Sequence, residues 1–192
     1  NPLFLPCKRE VNALRCIRTE NMEICSYMKH IKKHISCTIM IVLIVAFDQI
    51  TKYFASLKLA DGRVAKFIPG VVQFRYAENT GMAFSMLSGA RWAFVALTFA
   101  VCVGAFYYLF SNKCKSLWLY WSIGVVVSGG IGNLIDRARF GYVVDFIEPT
   151  FMDFAVFNIA DCAVTCGAVV LIGYLIVDAF SDIKKPKEKS NG

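Results

Sequence analysis

The chain has 192 residues, of which 57% are hydrophobic and only 18% charged, a balance that excludes an ordinary soluble domain and points to one integral membrane domain. Formal net charge is +7, but the basic residues stand beside apolar segments and at the tails, where they orient a chain in a bilayer, so nucleic acid is not an expected partner. The eight cysteines form no C-x-x-C pair, which favours reduced thiols acting as small hydrophobes over a zinc site.

Residues 1–27 carry mixed charge without a helical apolar stripe and start with Asn. They are set apart as an N-terminal extension, disordered or non-native. Met28 opens the basic prelude Met-Lys-His-Ile-Lys-Lys-His, and the membrane domain is expected over 28–183. Its first spanning segment is predicted at about 35–55, near the roughly 20 residues a helix needs to cross the hydrocarbon core. Within it Asp48 and Lys52 share a face one turn apart, the spacing of an internal ion pair with a structural role.

From about 61 to 87 the pattern changes to Gly, Pro and alternation. A Pro69-Gly70 turn signal precedes Val72, Phe74 and Tyr76, which alternate with Gln73 and Arg75, and predicts a small β element on the membrane surface. It ends in Glu78-Asn79-Thr80-Gly81-Met82-Ala83-Phe84, where Asn79 and Gly81 suggest a turn. Uncharged segments follow at about 92–110 and 117–135, separated by a short polar break with Lys113 and Lys115. Glycines in the third segment would let another helix approach closely. A fourth segment is predicted at about 158–180, and residues 184–192 form a basic cytoplasmic tail.

Basic residues flank the start of segment one, the break between two and three, and the end of segment four. With four crossings these places share a side, and the positive-inside tendency makes it the cytoplasm. The same topology brings Asp48 and Lys52, Asn79, Asn133 to Arg137, and Asn158 with Asp161 to one level near the outer surface. Asn133, Asp136 and Arg137 share a helical face, as do Asn158 and Asp161. The expected feature is a polar pocket just beneath that surface.

No H-E-x-x-H or G-x-S-x-G pattern is present, and both histidines lie toward the other side, so carboxylates are the chemistry that remains. Two acids held close share a proton, one acting as base on a water and the other donating to a scissile carbonyl. Asp136 beside Arg137 is expected to be structural, and Glu148 and Asp153 to be solvated in an outer loop. Asp145, inside Val143-Val144-Asp145-Phe146-Ile147, and Asp161, opening an apolar helix, are the pair advanced for catalysis. The rival readings are a small proton or cation transporter, since intramembrane acids also mark ion pathways, and a non-catalytic membrane scaffold.

The ordered set Asp48-Gln49-Ile50-Thr51-Lys52, Asn79-Thr80-Gly81-Met82-Ala83-Phe84, Gly132-Asn133-Leu134-Ile135-Asp136-Arg137 with Gly141 and Val144-Asp145-Phe146, and Phe157-Asn158-Ile159-Ala160-Asp161 resembles that of bacterial lipoprotein signal peptidase, also called signal peptidase II. The resemblance extends from about Met28 to Phe180. It implies an α-helical membrane protein of four transmembrane helices with a small extracytoplasmic β-cradle, both termini cytoplasmic, in the bacterial inner membrane. It further implies an aspartic endopeptidase, needing no metal or other cofactor, that cuts prolipoproteins before a diacylglyceryl-modified cysteine. Substrate and membrane lipid are the implied partners, and the expected state is a monomer. The family's catalytic pair falls on Asp145 and Asp161, and its supporting polar residues on Asn79, Gly81, Asn133, Arg137 and Asn158. Asp48, Lys52 and Asp136 are assigned structural roles. Two departures stand out: Cys162 where Ser is common after the second acid, and Ser128 where a Gly pair is usual.

Overall fold

The computed structural model of the chain describes residues 8–81, 91–111, 113, 114 and 116–184. The elements are α1 (Lys8–Leu59), β1 (Val64–Ile68), β2 (Val72–Asn79), α2 (Arg91–Phe110), α3 (Leu117–Arg139), β3 (Val143–Pro149) and α4 (Ile159–Lys184). Contacts divide the chain into a unit of residues 1–38 and one of residues 39–192. In the first, the described residues from Lys8 onward are helical, so 8–27 take up helix despite lacking a clean apolar stripe. The side chain of Thr38 donates to the carbonyl of His34 one turn back, at 3.0 Å.

Among the described residues of the second unit, the end of α1 and the apolar helices α2, α3 and α4 accompany a three-stranded antiparallel sheet ordered β1-β2-β3. Three helices among the described residues are long and apolar enough to cross a membrane: Tyr27–Leu59, Leu117–Arg139 and Ile159–Ser181. The apolar stretch of α2, Val95–Phe110, is shorter. Large apolar side chains point outward from these helices, among them Leu43, Phe47 and Phe54 of α1 and Val169, Ile172 and Val177 of α4. Such outward faces suit hydrocarbon rather than water.

The Pro69-Gly70 signal becomes a tight turn. Gly70 has φ 75° and the amide of Val71 donates to the carbonyl of Ile68 at 3.0 Å, which are the marks of a type II turn with glycine at its third position. The expected β element over 61–87 is thus a hairpin of β1 and β2, and residues 82–87 lie outside the described residues, as do 185–192 of the basic tail. The sequence reading missed the third strand. Glu148, expected in an outer loop, lies with Asp145 on β3, which pairs with β2 with Ala77 opposite Asp145 and Asn79 opposite Val143. Its Val-Val-Asp-Phe-Ile core lacks apolar–polar alternation because Val143, Val144, Asp145 and Phe146 are all buried, so the period-two signal vanishes.

Glu148 is also not simply solvated. It accepts two hydrogen bonds from Arg75, at 2.9 and 2.7 Å, and one from Gln73 at 2.7 Å. The Arg75 guanidinium holds the Glu148 carboxyl below its usual range, and this cross-strand pairing fixes the outer edge of the β2–β3 register.

Helix α3 begins at Ser116, whose side chain accepts from the amide of Leu119. It continues through Asp136 and Arg137, one turn beyond the expected end. At Gly141, with φ 92°, the chain reverses into β3. Packing of α3 on α4 depends on missing side chains: a Cβ on Gly129 would collide with the Ala160 carbonyl and the Val164 side chain. This is the close approach that the glycine run foretold. The departure at Ser128 is absorbed locally, since its buried hydroxyl donates to the carbonyl of Val125 at 2.6 Å. Cys25, Cys37, Cys102, Cys114, Cys162 and Cys166 are thiols outside any disulfide, and Cys37, Cys102 and Cys114 are buried.

Candidate active site

The site is assembled where α1, α3, β2, β3 and the start of α4 converge. Asn158 precedes α4 and caps it: its side-chain oxygen accepts from the amide of Asp161 at 2.9 Å, while Asp161 Oδ2 accepts from the amide of Asn158 at 3.2 Å. This reciprocal exchange is a capping box, with Asp standing where Glu or Gln is usual. It follows from the local sequence Asn-Ile-Ala-Asp and anchors the Asp161 carboxylate at the helix start. The other oxygen of Asp161 accepts from Asn133 Nδ2 at 2.8 Å.

Asp145 reaches the same place from β3. Only 2% exposed, it accepts from Asn158 Nδ2 at 2.6 Å on one oxygen and from Asn79 Nδ2 at 2.9 Å on the other. Asn79 is itself oriented, because its side-chain oxygen accepts from the amide of Gly81 at 2.8 Å. Burial raises the Asp145 pKa to about 6; the neighbouring Asp161 charge adds to the rise, and the bonds from Asn79 and Asn158 and the charge of Lys52 oppose it. Asn158, fully buried, is therefore the piece shared by both carboxylates. The side chain of Arg137, in the last turn of α3, is half-buried.

Beneath this pair lies a charged cluster. Lys52 Nζ is 2.9 Å from Asp48 Oδ2, 2.9 Å from Asp136 Oδ2 and 2.9 Å from Asn133 Oδ1. The expected Asp48–Lys52 pair is present, but Asp136 pairs with Lys52 rather than resting on its neighbour Arg137. Consecutive residues on a helix point about 100° apart, and only a tertiary contact could reveal the real partner.

Each acid of the cluster also ties down backbone. Asp48 Oδ1 accepts from the amide of Ala160 at 2.8 Å, and Asp136 Oδ2 from that of Val144 at 3.2 Å. Gln49 Nε2 adds bonds to Asp48, Asp136 and the Gly132 carbonyl at 3.2, 3.0 and 3.2 Å. Among the described residues no buried side-chain nitrogen or oxygen lacks a partner, the condition under which a buried polar network rigidifies rather than destabilises. Gln49 went unremarked in the sequence except as a motif letter; its place one residue after Asp48 was the available signal.

Residues 40–177, more than two thirds of the chain, match the family described as Signal peptidase (SPase) II. The chain belongs to the signal peptidase II family. It is similar to a protein of Streptococcus pyogenes serotype M2 (strain MGAS10270) named Lipoprotein signal peptidase, with 43% identity over 132 residues that cover 69% of this chain and 87% of the relative. A protein of the same name from serotype M6 (strain ATCC BAA-946 / MGAS10394) is 42% identical over the same shares of each chain. Among solved structures, a bacterial membrane enzyme determined by the in meso method at 2.3 Å resolution is 32% identical, with a TM-score of 0.69 over 80% of this chain and 93% of that one. A second, at 1.9 Å resolution, matches with the same identity and TM-score over 73% and 92%. A signal peptidase II is a peptidase and a membrane enzyme, which agrees with the apolar outward faces of α1 and α4.

Proposed function

We propose that this signal peptidase II is an aspartic endopeptidase that removes the signal peptide of prolipoproteins, cutting before a diacylglyceryl-modified cysteine. The observation that carries the reading is the convergence of Asp145 and Asp161 on Asn158, which bonds both carboxylates at once. Two acids so placed can pass a proton between water and substrate. An Asp145 pKa near 6 suits proton transfer close to neutrality. A water between the carboxylates loses its proton to one of them and attacks the scissile carbonyl, while the other donates to the carbonyl oxygen. The proton is then returned to the leaving amine.

Asn79, Asn133 and Asn158 orient the pair through the bonds described above. Gly81 serves by fixing Asn79, and Arg137 is assigned to meet substrate. Asp48, Lys52 and Asp136 support the site from below. Lys29, Lys32 and Lys33 before the first segment, Lys113 between the second and third, and the basic tail support a reading with both termini in the cytoplasm and the site on the outer side of the bacterial inner membrane. The lipid on the substrate cysteine would keep the scissile bond at that level. A monomer suffices, since all the groups invoked come from one chain. A transporter is disfavoured because the buried acids gather at one level instead of lining a path through the membrane depth.

The test is cleavage of a diacylglyceryl-modified prolipoprotein by the purified protein, compared with Asp145→Asn and Asp161→Asn. Wild-type turnover with loss in both variants is expected, and it should withstand EDTA. Unchanged turnover in either variant sinks the pair, and abolition by EDTA with rescue by zinc sinks the metal-free mechanism.

A further inference from the structure

Lys52 sits on α1 and touches neither Asp145 nor Asp161 directly, yet its contacts are more specific than neutralising two acids requires. The three N–H groups of an ammonium are matched by three oxygens at 2.9 Å, two from carboxylates and one from the neutral amide of Asn133. Lys52 is 3% exposed, so no ready solvent contact replaces any of them. Asn133 Oδ1, turned to Lys52, also accepts from Asn158 Nδ2 at 3.2 Å. With its oxygen committed there, the amide presents its NH2 to Asp161 Oδ1. A flipped amide would set its NH2 against an ammonium and its oxygen against a carboxylate, two repulsions at once.

We propose that Lys52 is a positioning residue for peptide cleavage, holding the Asn133 amide in the one orientation that keeps an N–H on Asp161. The proposal rests on the reading of Asp145 and Asp161 as the reacting pair. It goes beyond a structural ion pair because it assigns the cation an effect on turnover that persists in folded protein. The same cation anchors the acids that bond the amides of Ala160 and Val144, the residues just before Asp161 and Asp145. The charged groups facing Lys52 are Asp48 from α1 and Asp136 from α3. Beyond Asn133 lie Asp161 from α4 and Asp145 from β3, whose carboxyl feels the Lys52 charge.

Lys52→Met removes the cation and keeps most of the aliphatic stem. A second variant, Lys52→Met with Asp136→Asn, removes one charge of each sign and keeps the formal charge of the buried cluster. Both are assayed on the lipidated prolipoprotein in detergent micelles, with folding followed by thermal unfolding. The expected result is a kcat about 100-fold below wild type in the folded double variant, with KM changed by less than about threefold. The window of active pH should move upward by about one unit, because losing the N–H that Asn133 gives to Asp161 disfavours the negative form of the pair. Wild-type kcat and pH profile in the double variant would show that Lys52 only neutralises Asp136, and the proposal falls. If neither variant assembles in the membrane, Lys52 is a folding residue and the proposal falls as well. Failure of the carboxylate reading shows separately, as retained turnover in Asp145→Asn or Asp161→Asn beside an active wild type.

Discussion

Replacing Asp145 by Asn should abolish turnover while changing stability in a pH-dependent way whose size the structure supplies. Burial holds the Asp145 carboxyl at a pKa of about 6 against 3.8 in its ordinary state. Between these values the folded protein binds more protons than the unfolded chain, so stability falls as pH rises from about 4 through 6 and stays lower above that. The difference of 2.2 units is worth about 3 kcal/mol. An Asn at this position does not titrate. It does set its own NH2 against one of the donors, Asn79 or Asn158, which costs about 1–3 kcal/mol at every pH. The clean quantity is therefore the change with pH in the stability difference between variant and parent. Relative to the parent, Asp145→Asn should gain about 3 kcal/mol between about pH 4 and pH 7.5. At about 2–4 °C per kcal/mol for a chain of this length, that is a relative rise in Tm of about 6–12 °C. Thermal unfolding of both proteins in the same micelles at the two pH values reads it directly. A Tm difference that is the same at both would refute the argument that Asp145 is strained by burial.

The two tasks of Asn158 can be separated. Asn158→Ser keeps a capping oxygen for α4 but cannot reach Asp145 Oδ1, now bonded at 2.6 Å; kcat on lipidated prolipoprotein should fall by about 100-fold with little loss of Tm. Asn158→Ala loses the cap as well, and chemical or thermal unfolding should show a further cost of about 1 kcal/mol. Gly132→Ala would put a Cβ 2.6 Å from Asp48 Oδ2 and 3.1 Å from the Ala160 side chain. Forcing that crossing apart should cost about 1–3 kcal/mol, seen as a lowered Tm, and an unchanged Tm would show that the α1, α3 and α4 contact is slack.

Membrane class was legible from composition, and the four apolar segments from their lengths. The hairpin was legible because Pro-Gly and the alternation after it act within ten residues of each other. The gathering of Asp48, Asn79, Asn133, Asn158 and Asp161 at one level followed from topology and charge bias. What the pattern could not reveal was β3. A strand buried along its middle loses the alternation by which strands are recognised, so the stretch around Asp145 was not read as a strand, and the partners of Glu148 in β2 stayed hidden. Asp136 misled for a related reason: adjacency to Arg137 is visible in sequence, whereas its ion pair with Lys52 joins positions more than 80 residues apart.

By itself the amino-acid sequence determined whatever depends on near neighbours: which segments suit hydrocarbon, where Pro69-Gly70 turns the chain, and that Asn158 with Asp161 can close the first turn of α4. Motif order likewise marked the chain as resembling signal peptidase II, because order and spacing are properties of the chain alone. Tertiary structure decided the rest. It put Asp145 on a strand beside Asn79, bonded both carboxylates to one buried residue, Asn158, through its side-chain and backbone N–H groups, and set Lys52 among two acids and Asn133. Those facts depend on how α1, α3, β3 and α4 pack, and glycines at the crossing permit that packing only because no side chain stands in the way.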